Sequence, residues 1–355
     1  MLMKALIYYL KATRPLEEQS LASCSELVRT ANASSGDNLL TNLMNQLPME
    51  HPARKYYKNI EMLPEKTFGS VLGTLQSKLG KFDSKEIAEV TSTNTIDFTD
   101  IGKKKTAVYV ISSDTHTAYD FLLTIFFSQM IQQLYDFADL SGGALPIPTY
   151  FILDEFANIG QIPDFDKKIS TSRSRKLSFS VILQNLDQLE AVYKESYETI
   201  IGNCDTHLFL GSNSQKTVEY FSKALGEKTI TRENVSVNKD REDWKQGKSE
   251  SDQVMGRALM TPDELRRMDN DLCIIYEKGI KPIKANKYYY FKYSEDKLVK
   301  KYKTDHNNVE VERGVWRIYN PYNPYVPKDD KEKQEEKLKI DSLDDLFEDE
   351  VPKKE

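Results

Sequence analysis

Hydrophobic and polar positions change rhythm once along this chain. Up to about Val90 the apolar residues recur at helical spacing, and no strand signal interrupts them. The opening Met1-Leu2-Met3-Lys4-Ala5-Leu6-Ile7-Tyr8-Tyr9-Leu10 reads as an amphipathic helix, too short to span a bilayer and without a signal-peptide cleavage pattern. Pro15 stands where a helix begins, with Glu17 and Glu18 in the first turn, where acids meet the positive end of the helix dipole. Leu16, Leu21, Leu27 and Val28 give that helix a stripe. Gly36-Asp37 precedes a segment from Leu39 to Leu47. Pro52 and Pro64 open two more; the second carries Phe68, Val71, Leu72, Leu75 and Leu79, and Gly80 ends it. Residues 1–93 are therefore expected to form an all-α domain, a possible substrate- or DNA-facing cap.

From about Asn94 the pattern becomes strand and helix in alternation. Ala107-Val108-Tyr109-Val110-Ile111 is a β-branched run expected as a buried strand, followed by a long helix from Ala118 to Ala138. The apolar run within it, Phe121–Met130, gives way to Gln132-Gln133 and suits a buried helix. Beyond the turn Ser141-Gly142-Gly143 come strand candidates within Pro146–Phe156 and at Phe179–Leu183, His207–Leu210 and Leu272–Tyr276. Helices are expected at Asp164–Thr171, Leu186–Tyr193 and Lys216–Leu225. This alternation argues for an α/β core with a parallel, doubly wound sheet flanked by helices over residues 94–300. The polar, aperiodic Arg232–Arg257 reads as a surface loop or ragged hairpin. Residues 301–327 are expected to be extended, and residues 328–355 a disordered acidic tail.

Composition narrows the setting. The chain has 355 residues, 39% hydrophobic and 29% charged, enough for two domains with a real core. Its net charge of -6 argues against a general nucleic-acid coat protein, yet residues 328–355 alone contribute 7 − 12 = -5, so the remainder is nearly neutral and can hold local basic patches. Cys24, Cys204 and Cys273, and the scattered His51, His116, His207 and His306, lack metal-ligand spacing; the thiols suit a reduced, cytoplasmic setting.

The chemistry concentrates at Pro146-Ile147-Pro148-Thr149-Tyr150-Phe151-Ile152-Leu153-Asp154-Glu155-Phe156, an apolar strand running into two adjacent carboxylates. That is the layout of a Walker B strand: the first acid can hold Mg²⁺, usually through water, and the second can orient the attacking water. The other half of such a site, a glycine-rich loop ending in Gly-Lys-Ser/Thr, does not occur in these residues. Gly102-Lys103-Lys104-Lys105-Thr106 is a near miss, with Asp97 where the upstream glycine belongs. Gly226-Glu227-Lys228-Thr229 has the wrong order. Further on, Arg173 and Arg175 lie in Thr171-Ser172-Arg173-Ser174-Arg175-Lys176. They are either a solvated basic loop or a source of an arginine that reaches a neighbouring subunit's phosphates. Gln184, at the end of the strand Phe179–Leu183, is either a helix cap or a polar group that senses the γ-phosphate.

Taken together, Tyr150–Phe156, Ser172–Arg175 and Val181-Ile182-Leu183-Gln184-Asn185 resemble the TraG/VirD4 type IV secretion coupling proteins. Asn203–Gly211, the helix from Thr217 to Ser222 with Leu225-Gly226, and Arg257-Ala258-Leu259-Met260-Thr261-Pro262-Asp263-Glu264-Leu265 extend the likeness over roughly residues 94–290. The resemblance implies a membrane-anchored, hexameric RecA-like ATPase using Mg²⁺ and ATP. Such a protein works at the cytoplasmic face of the bacterial plasma membrane, links a relaxase–DNA complex to the secretion channel and drives single-stranded DNA export in conjugation. It casts Asp154 as the Mg²⁺-associated acid, Glu155 as the water-polarising base, Arg173 as the finger acting in trans, with Arg175 its alternative, and Gln184 as the sensor. The family's membrane anchor and phosphate-binding loop are missing from these residues. A truncated or split coupling protein that binds ATP weakly by itself is therefore expected.

Two basic patches could meet DNA: Arg241, Trp244, Lys245 and Lys248 in the 232–257 segment, and Arg54-Lys55-Tyr56-Tyr57-Lys58. Each is more readily read as a solvated face, the second with its tyrosines packed inward. The tail Ile340–Glu350, acidic with interleaved Leu and Phe, suits docking to a basic relaxosome protein or simple solubilisation. The rival readings are a non-catalytic adaptor for relaxosome proteins and a DNA translocase of the FtsK/HerA-like, chromosome-segregation type.

Overall fold

The computed structural model describes residues 1–31, 38–112, 119–238, 247–301 and 314–322. Contacts divide the chain into two units, Met1–Ile96 with Asn308–Glu355, and Asp97–Asn307.

The first unit is helical. Helix α1 (Leu2–Thr13) buries Leu2, Ala5, Leu6, Tyr9 and Leu10, a single helical stripe. Pro15 opens only a 3-10 turn, Leu16–Glu18. The chain then restarts at Ser20, whose side chain accepts from the Ser23 amide to cap α2 (Leu21–Arg29). The stripe expected through Leu16 is thereby broken, and Leu16 is 79% exposed. Helices α3 (Leu39–Asn45), α4 (Pro52–Glu61), α5 (Glu65–Leu79) and α6 (Lys85–Ser92) follow. Pro52 occupies the first turn of α4 and Pro64 immediately precedes α5, where a missing amide costs nothing. Helix α1 packs on α4, and α2 on α5.

Residues 314–322 return to this unit. The Glu18 carboxylate, its side chain 1% exposed, accepts from Arg14 Nε at 2.7 Å and Arg317 Nε at 2.8 Å. The Tyr319 amide donates to Ser23 Oγ at 2.9 Å, and the Arg14 guanidinium lies 4.4 Å from the Tyr319 ring centre. Burial alone would raise the Glu18 pKa; the hydrogen bonds from Arg317 and Arg14 outweigh it and hold the carboxyl below its ordinary range.

The second unit is α/β. The short α7 (Asp100–Lys103) and long α8 (Asp120–Leu140) precede β1 (Thr149–Leu153), α9 (Phe165–Thr171) and β2 (Leu177–Val181). Strands β1 and β2 pair in parallel, Thr149 opposite Leu177 through Leu153 opposite Val181. Helices α10 (Leu186–Tyr193) and α11 (Tyr197–Gly202) lead to β3 (Thr206–Phe209), and α12 (Gln215–Leu225) follows. The segment read as a loop or hairpin is a hairpin, β4 (Glu227–Asn238) antiparallel to β5 (Gly247–Ala258). After α13 (Pro262–Arg266), β6 (Leu272–Glu277) joins β3, and β7 (Ile283–Asn286) joins β6, both antiparallel. Helix α14 (Glu295–Lys301) follows. The parallel pairing is thus confined to β1 and β2, where a helical crossover joins them; β6 and β7 run antiparallel because a tight turn connects them.

The strand expected at Ala107–Ile111 does not form. Ala107–Ile111 joins no ladder, and Tyr109 and Ile111 are 87% and 94% exposed. A cleft of about 730 Å³ separates this segment from β1, lined by Val108, Val110, Tyr150, Ile152 and Asp154 among others. Its β-branched residues favour an extended backbone, but a strand also needs a hydrogen-bonded neighbour. Among the described residues, no helix is long and apolar enough to cross a membrane.

The core of this unit lies under one face of β1–β2. Phe127, Ile131 and Leu134 of α8 meet Phe151, Leu153 and Leu177, and Phe156, Phe165 and Tyr193 close it off. The continuous apolar run of β1 predicts burial on both faces. Only Thr149, Phe151 and Leu153 are buried, while Tyr150 and Ile152 are each 74% exposed.

Candidate functional site at the ends of two parallel strands

The site forms where β1 and β2 end together. The ladder runs one step past the assigned strands: the Ile182 amide donates to the Leu153 carbonyl at 3.0 Å, and the Phe156 amide to the Ile182 carbonyl at 3.1 Å. Between those two bonds the chain must turn, and Glu155 adopts φ 50°, ψ 45°, the left-handed region that an L residue with a long side chain seldom occupies. This kink lifts the acid off the strand while Phe156, fully buried, anchors the far side. The Phe156 ring stacks on Tyr193 at 5.5 Å and meets Phe165 at 4.8 Å. The Tyr193 hydroxyl accepts from the Ile162 amide at 3.2 Å, which ties the loop after the acids to α10. Burial pushes the Tyr193 phenol up to about 12, so it stays protonated at neutral pH.

The structure brings three of the sequence-derived residues together. Gln184 Nε2 donates to Glu155 Oε1 at 2.9 Å, across the shared end of β1 and β2. Asp154 stands next to them, exposed, its Oδ1 accepting from the Glu155 amide at 3.1 Å. Gln184 is not a helix cap. That role belongs to Asn185, whose side chain accepts from the Gln188 amide at 3.0 Å. The Gln188 side chain in turn accepts from the Gln184 amide at 3.3 Å. The Gln184 carboxamide is left to face the acid. Two groups that the sequence reading gave no role at the site hold this loop: Thr217 Oγ1 accepts from the Leu186 amide at 3.0 Å, and Ser214 hydrogen-bonds Asp187. Only the pairing of a cap residue with a polar residue one turn on hinted at them.

Arg173 is placed elsewhere. It opens a 3-10 turn, Arg173–Arg175, that leads through Lys176 into the start of β2, at the opposite end of the strand from Gln184. Five residues of strand separate the ends by roughly 16 Å. Arg175 is held within the chain: its guanidinium bonds Asp139 at 3.0 Å and lies 4.8 Å from the Tyr135 ring centre. Arg173 is exposed and has no ion pair among the described residues.

Among the other candidates, Arg241, Trp244 and Lys245 lie outside the described residues. Lys248 stands in β5, opposite Val237. The Arg54–Lys58 patch is absorbed by packing: Tyr57 is buried with its hydroxyl 2.8 Å from Thr41 Oγ1, Tyr56 stacks on Tyr8 at 5.9 Å, and Arg54 donates to the Leu47 carbonyl at 2.7 Å. The Gly102 near miss sits in α7, where a Cβ would come 2.9 Å from Leu145, so it is a packing glycine rather than part of a phosphate loop. The Arg257–Leu265 signature is a built corner. Thr261 and Glu264 form a reciprocal capping box, Arg257 bonds Glu264 at 2.7 Å, Ser222 donates to the Met260 carbonyl at 2.7 Å, and Leu265 is buried.

As chemistry, the site offers an exposed acid beside an oriented one. An exposed aspartate at a strand end suits a hard, largely hydrated cation, and a glutamate oriented by a glutamine suits a positioned water. No backbone-amide cradle for phosphates accompanies them among the described residues.

One parallel strand that ends in adjacent carboxylates, a glutamine at the end of its neighbour and a helical first unit place the chain among α/β proteins with a Walker-B-like strand end. The chain belongs to the family of type IV secretory system conjugative DNA transfer proteins, whose model matches residues 1–314. It is similar to protein VirD4 of Rhizobium rhizogenes, 27% identical over 63% of this chain and 33% of that one. It is also similar to the conjugal transfer protein TraG of Escherichia coli, 26% identical over 58% of this chain and 34% of that one. The chain thus spans about a third of the length of these relatives. Among solved structures, the plasmid coupling protein TrwB in complex with the non-hydrolysable ATP analogue ADPNP superposes with a TM-score of 0.58. It is 13% identical, over 80% of this chain and 61% of that one. The unbound coupling protein TrwBdeltaN70 gives a TM-score of 0.52 at 14% identity, over 81% and 68%.

Proposed function

We propose that this chain supplies the Walker B part of a conjugative coupling ATPase, which couples ATP hydrolysis to export of single-stranded DNA and its bound relaxase. The Gln184–Glu155 hydrogen bond across the ends of β1 and β2 carries this reading. It joins the water-orienting acid to a group on the adjacent strand that a γ-phosphate could reach, which is what coupling hydrolysis to movement requires.

In this reading Asp154 would hold Mg²⁺, and Glu155 would orient the attacking water and accept its proton. Gln184 releases Glu155 when a phosphate competes for its carboxamide. When bound, Mg-ATP supplies the phosphoryl group and the charge that draws these side chains into place. TrwB, solved with ADPNP and with ADP and Mg²⁺, supports those ligands for the family fold. The phosphate cradle would come from protein outside these 355 residues, so the chain alone should bind ATP weakly. The apolar faces left exposed by Tyr150 and Ile152 of β1, with Leu208 of β3, support a neighbouring segment of that kind. Arg173, unpaired and remote from Glu155 of its own chain, suits action on an adjacent subunit of a hexameric ring; Arg175, already bonded to Asp139, does not. Relaxosome proteins, the secretion channel and the cytoplasmic face of the plasma membrane complete the setting.

The test is a Glu155→Gln change in this chain reassembled with the phosphate-loop part of the protein. Loss of the general base should lower ATP turnover by about 100-fold or more while Mg-ATP binding persists. Unchanged turnover would leave the adaptor reading, in which the chain binds relaxosome proteins without hydrolysis. Tight Mg²⁺-dependent ATP binding by the isolated chain would remove the split-site reading.

A further inference from the structure

Beyond β6 the chain changes charge. Residues 278–301 hold eight lysines and two acids, a net of 8 − 2 = +6, in a protein whose total is -6. Aromatic residues fill the middle of that stretch: Tyr288, Tyr289, Tyr290, Phe291 and Tyr293. Four of them are exposed, Tyr288 at 63%, Tyr290 at 54%, Phe291 at 55% and Tyr293 at 53%. Aromatic rings left in water at this density, inside a lysine-rich segment, ask for a ligand with flat apolar faces and negative charge.

The rings are held in place. Tyr288 and Tyr293 stack at 4.5 Å with planes 15° apart, and Phe291 meets Tyr289 at 5.4 Å and Tyr290 at 5.7 Å. The Tyr289 hydroxyl donates to the Asp271 carboxylate at 2.9 Å, and the Tyr288 hydroxyl bonds Glu295. These two acids orient rings. Two lysines are occupied by other acids, Lys278 facing Asp205 at 3.8 Å and Lys300 bonding Asp296 at 2.6 Å. Lys281, Lys284, Lys287 and Lys292 make no ion pair among the described residues. Lys292 instead lies 4.5 Å from the Tyr289 ring centre. Strand β7 carries Lys284 on the outer edge of its sheet, paired only to β6.

We propose that residues 281–293 form a platform for single-stranded nucleic acid, with the exposed rings stacking unpaired bases and the four lysines neutralising phosphates. Stacking needs the face of a base, which a duplex hides, so the preference is for single strands; it tolerates any sequence, because every base has such a face. The platform lies outside the Asp154–Glu155–Gln184 cluster and requires no nucleotide. It rests on the DNA-transfer reading only for its setting.

The experiment uses the full chain without ATP and a fluorescein-labelled oligothymidylate of about 20 bases, a length that exceeds one stacking site. Anisotropy should show binding that weakens steeply with salt. The triple change Tyr288→Ala, Tyr290→Ala, Phe291→Ala should weaken it by at least roughly 30-fold. Tyr288→Phe with Tyr290→Phe should keep it, since the rings remain. Changing Lys281, Lys284, Lys287 and Lys292 to Gln should lower the log–log salt slope by about 3, near 0.7 per phosphate contact. An oligouridylate of equal length separates RNA from DNA as the source of the same chemistry. Photocrosslinking of the unaltered chain to an iodouracil-substituted oligonucleotide should map to the peptide containing residues 288–293, which guards against variants that fail to fold. No binding, an unchanged affinity in the alanine variant, a crosslink elsewhere, or binding only to anionic vesicles would each overturn the platform. Strand binding that survives alongside an inactive ATPase would overturn the motor reading and leave this one standing.

Discussion

Single residues show where the chain stores cost for chemistry. Glu155 holds a left-handed backbone, a conformation that costs about 1 kcal/mol or more outside glycine. Glu155→Gly should therefore raise thermal stability by up to about 1 kcal/mol while removing the acid. A melting curve in which the glycine variant is less stable than the parent would show that the kink carries no strain. Glu18 is the opposite case, a buried charge placed for structure. Removing it as Glu18→Ala should destabilise the helical unit by roughly 3 kcal/mol, because two guanidiniums lose their common partner. The same carboxyl sets a pH dependence. Its native pKa is lowered, so its contribution is fully present above the ordinary glutamate value of about 4.3 and is lost as pH falls through the lowered one. Unfolding free energy measured against pH should fall on that acid limb in the parent and fall less in Glu18→Ala.

At the scale of elements, short polar signals decide how helices meet strands. Thr261 and Glu264 cap α13 reciprocally and Arg257 clamps the same carboxylate, so the Arg257–Leu265 signature is a fold-maintaining corner. Thr261→Ala should cost about 1 kcal/mol in denaturant unfolding; a change indistinguishable from zero would mean the box is replaced by water at no loss. Phe156 matters more. It lies between the acid kink and the Tyr193–Phe165 pair, and Phe156→Ala should cost about 3–5 kcal/mol while loosening Glu155. Helix periodicity made α1, α3, α4, α5, α8, α9, α10 and α12 legible in sequence to within a few residues, because burial on one stripe is a local pattern. The strand expected at Ala107–Ile111 was not decided that way. Its residues prefer an extended backbone, but pairing depends on what lies alongside, and a cleft lies there instead of a strand.

At the scale of the whole molecule, the arrangement is of two units, and the Asp154–Glu155–Gln184 cluster lies in the second. Burial pushes the Cys24 thiol up to about 12, which leaves almost no thiolate at pH 8. Alkylation of the native chain should spare Cys24 and reach it only on denaturation; rapid native labelling there would show that the helical unit opens readily. The lysine and tyrosine run at 278–293 stands in the sequence without a motif that marks it as a site. Nothing in a linear pattern separates exposed tyrosines from core ones, whereas the folded chain leaves four of these rings in water.

The sequence by itself determined the carboxylate pair at the end of an apolar strand, the glutamine at the end of the next and the helical character of the first unit. Those depend on residue type and short spacing. Tertiary structure alone decided that Gln184 faces Glu155 while Asn185 caps the helix, since two strands 29 residues apart in sequence had to align in register. It also decided that Arg175 is tied down while Arg173 is exposed, and that residues 314–322 close over Glu18. Each of these turns on which distant groups share a hydrogen bond, and only the folded chain sets that.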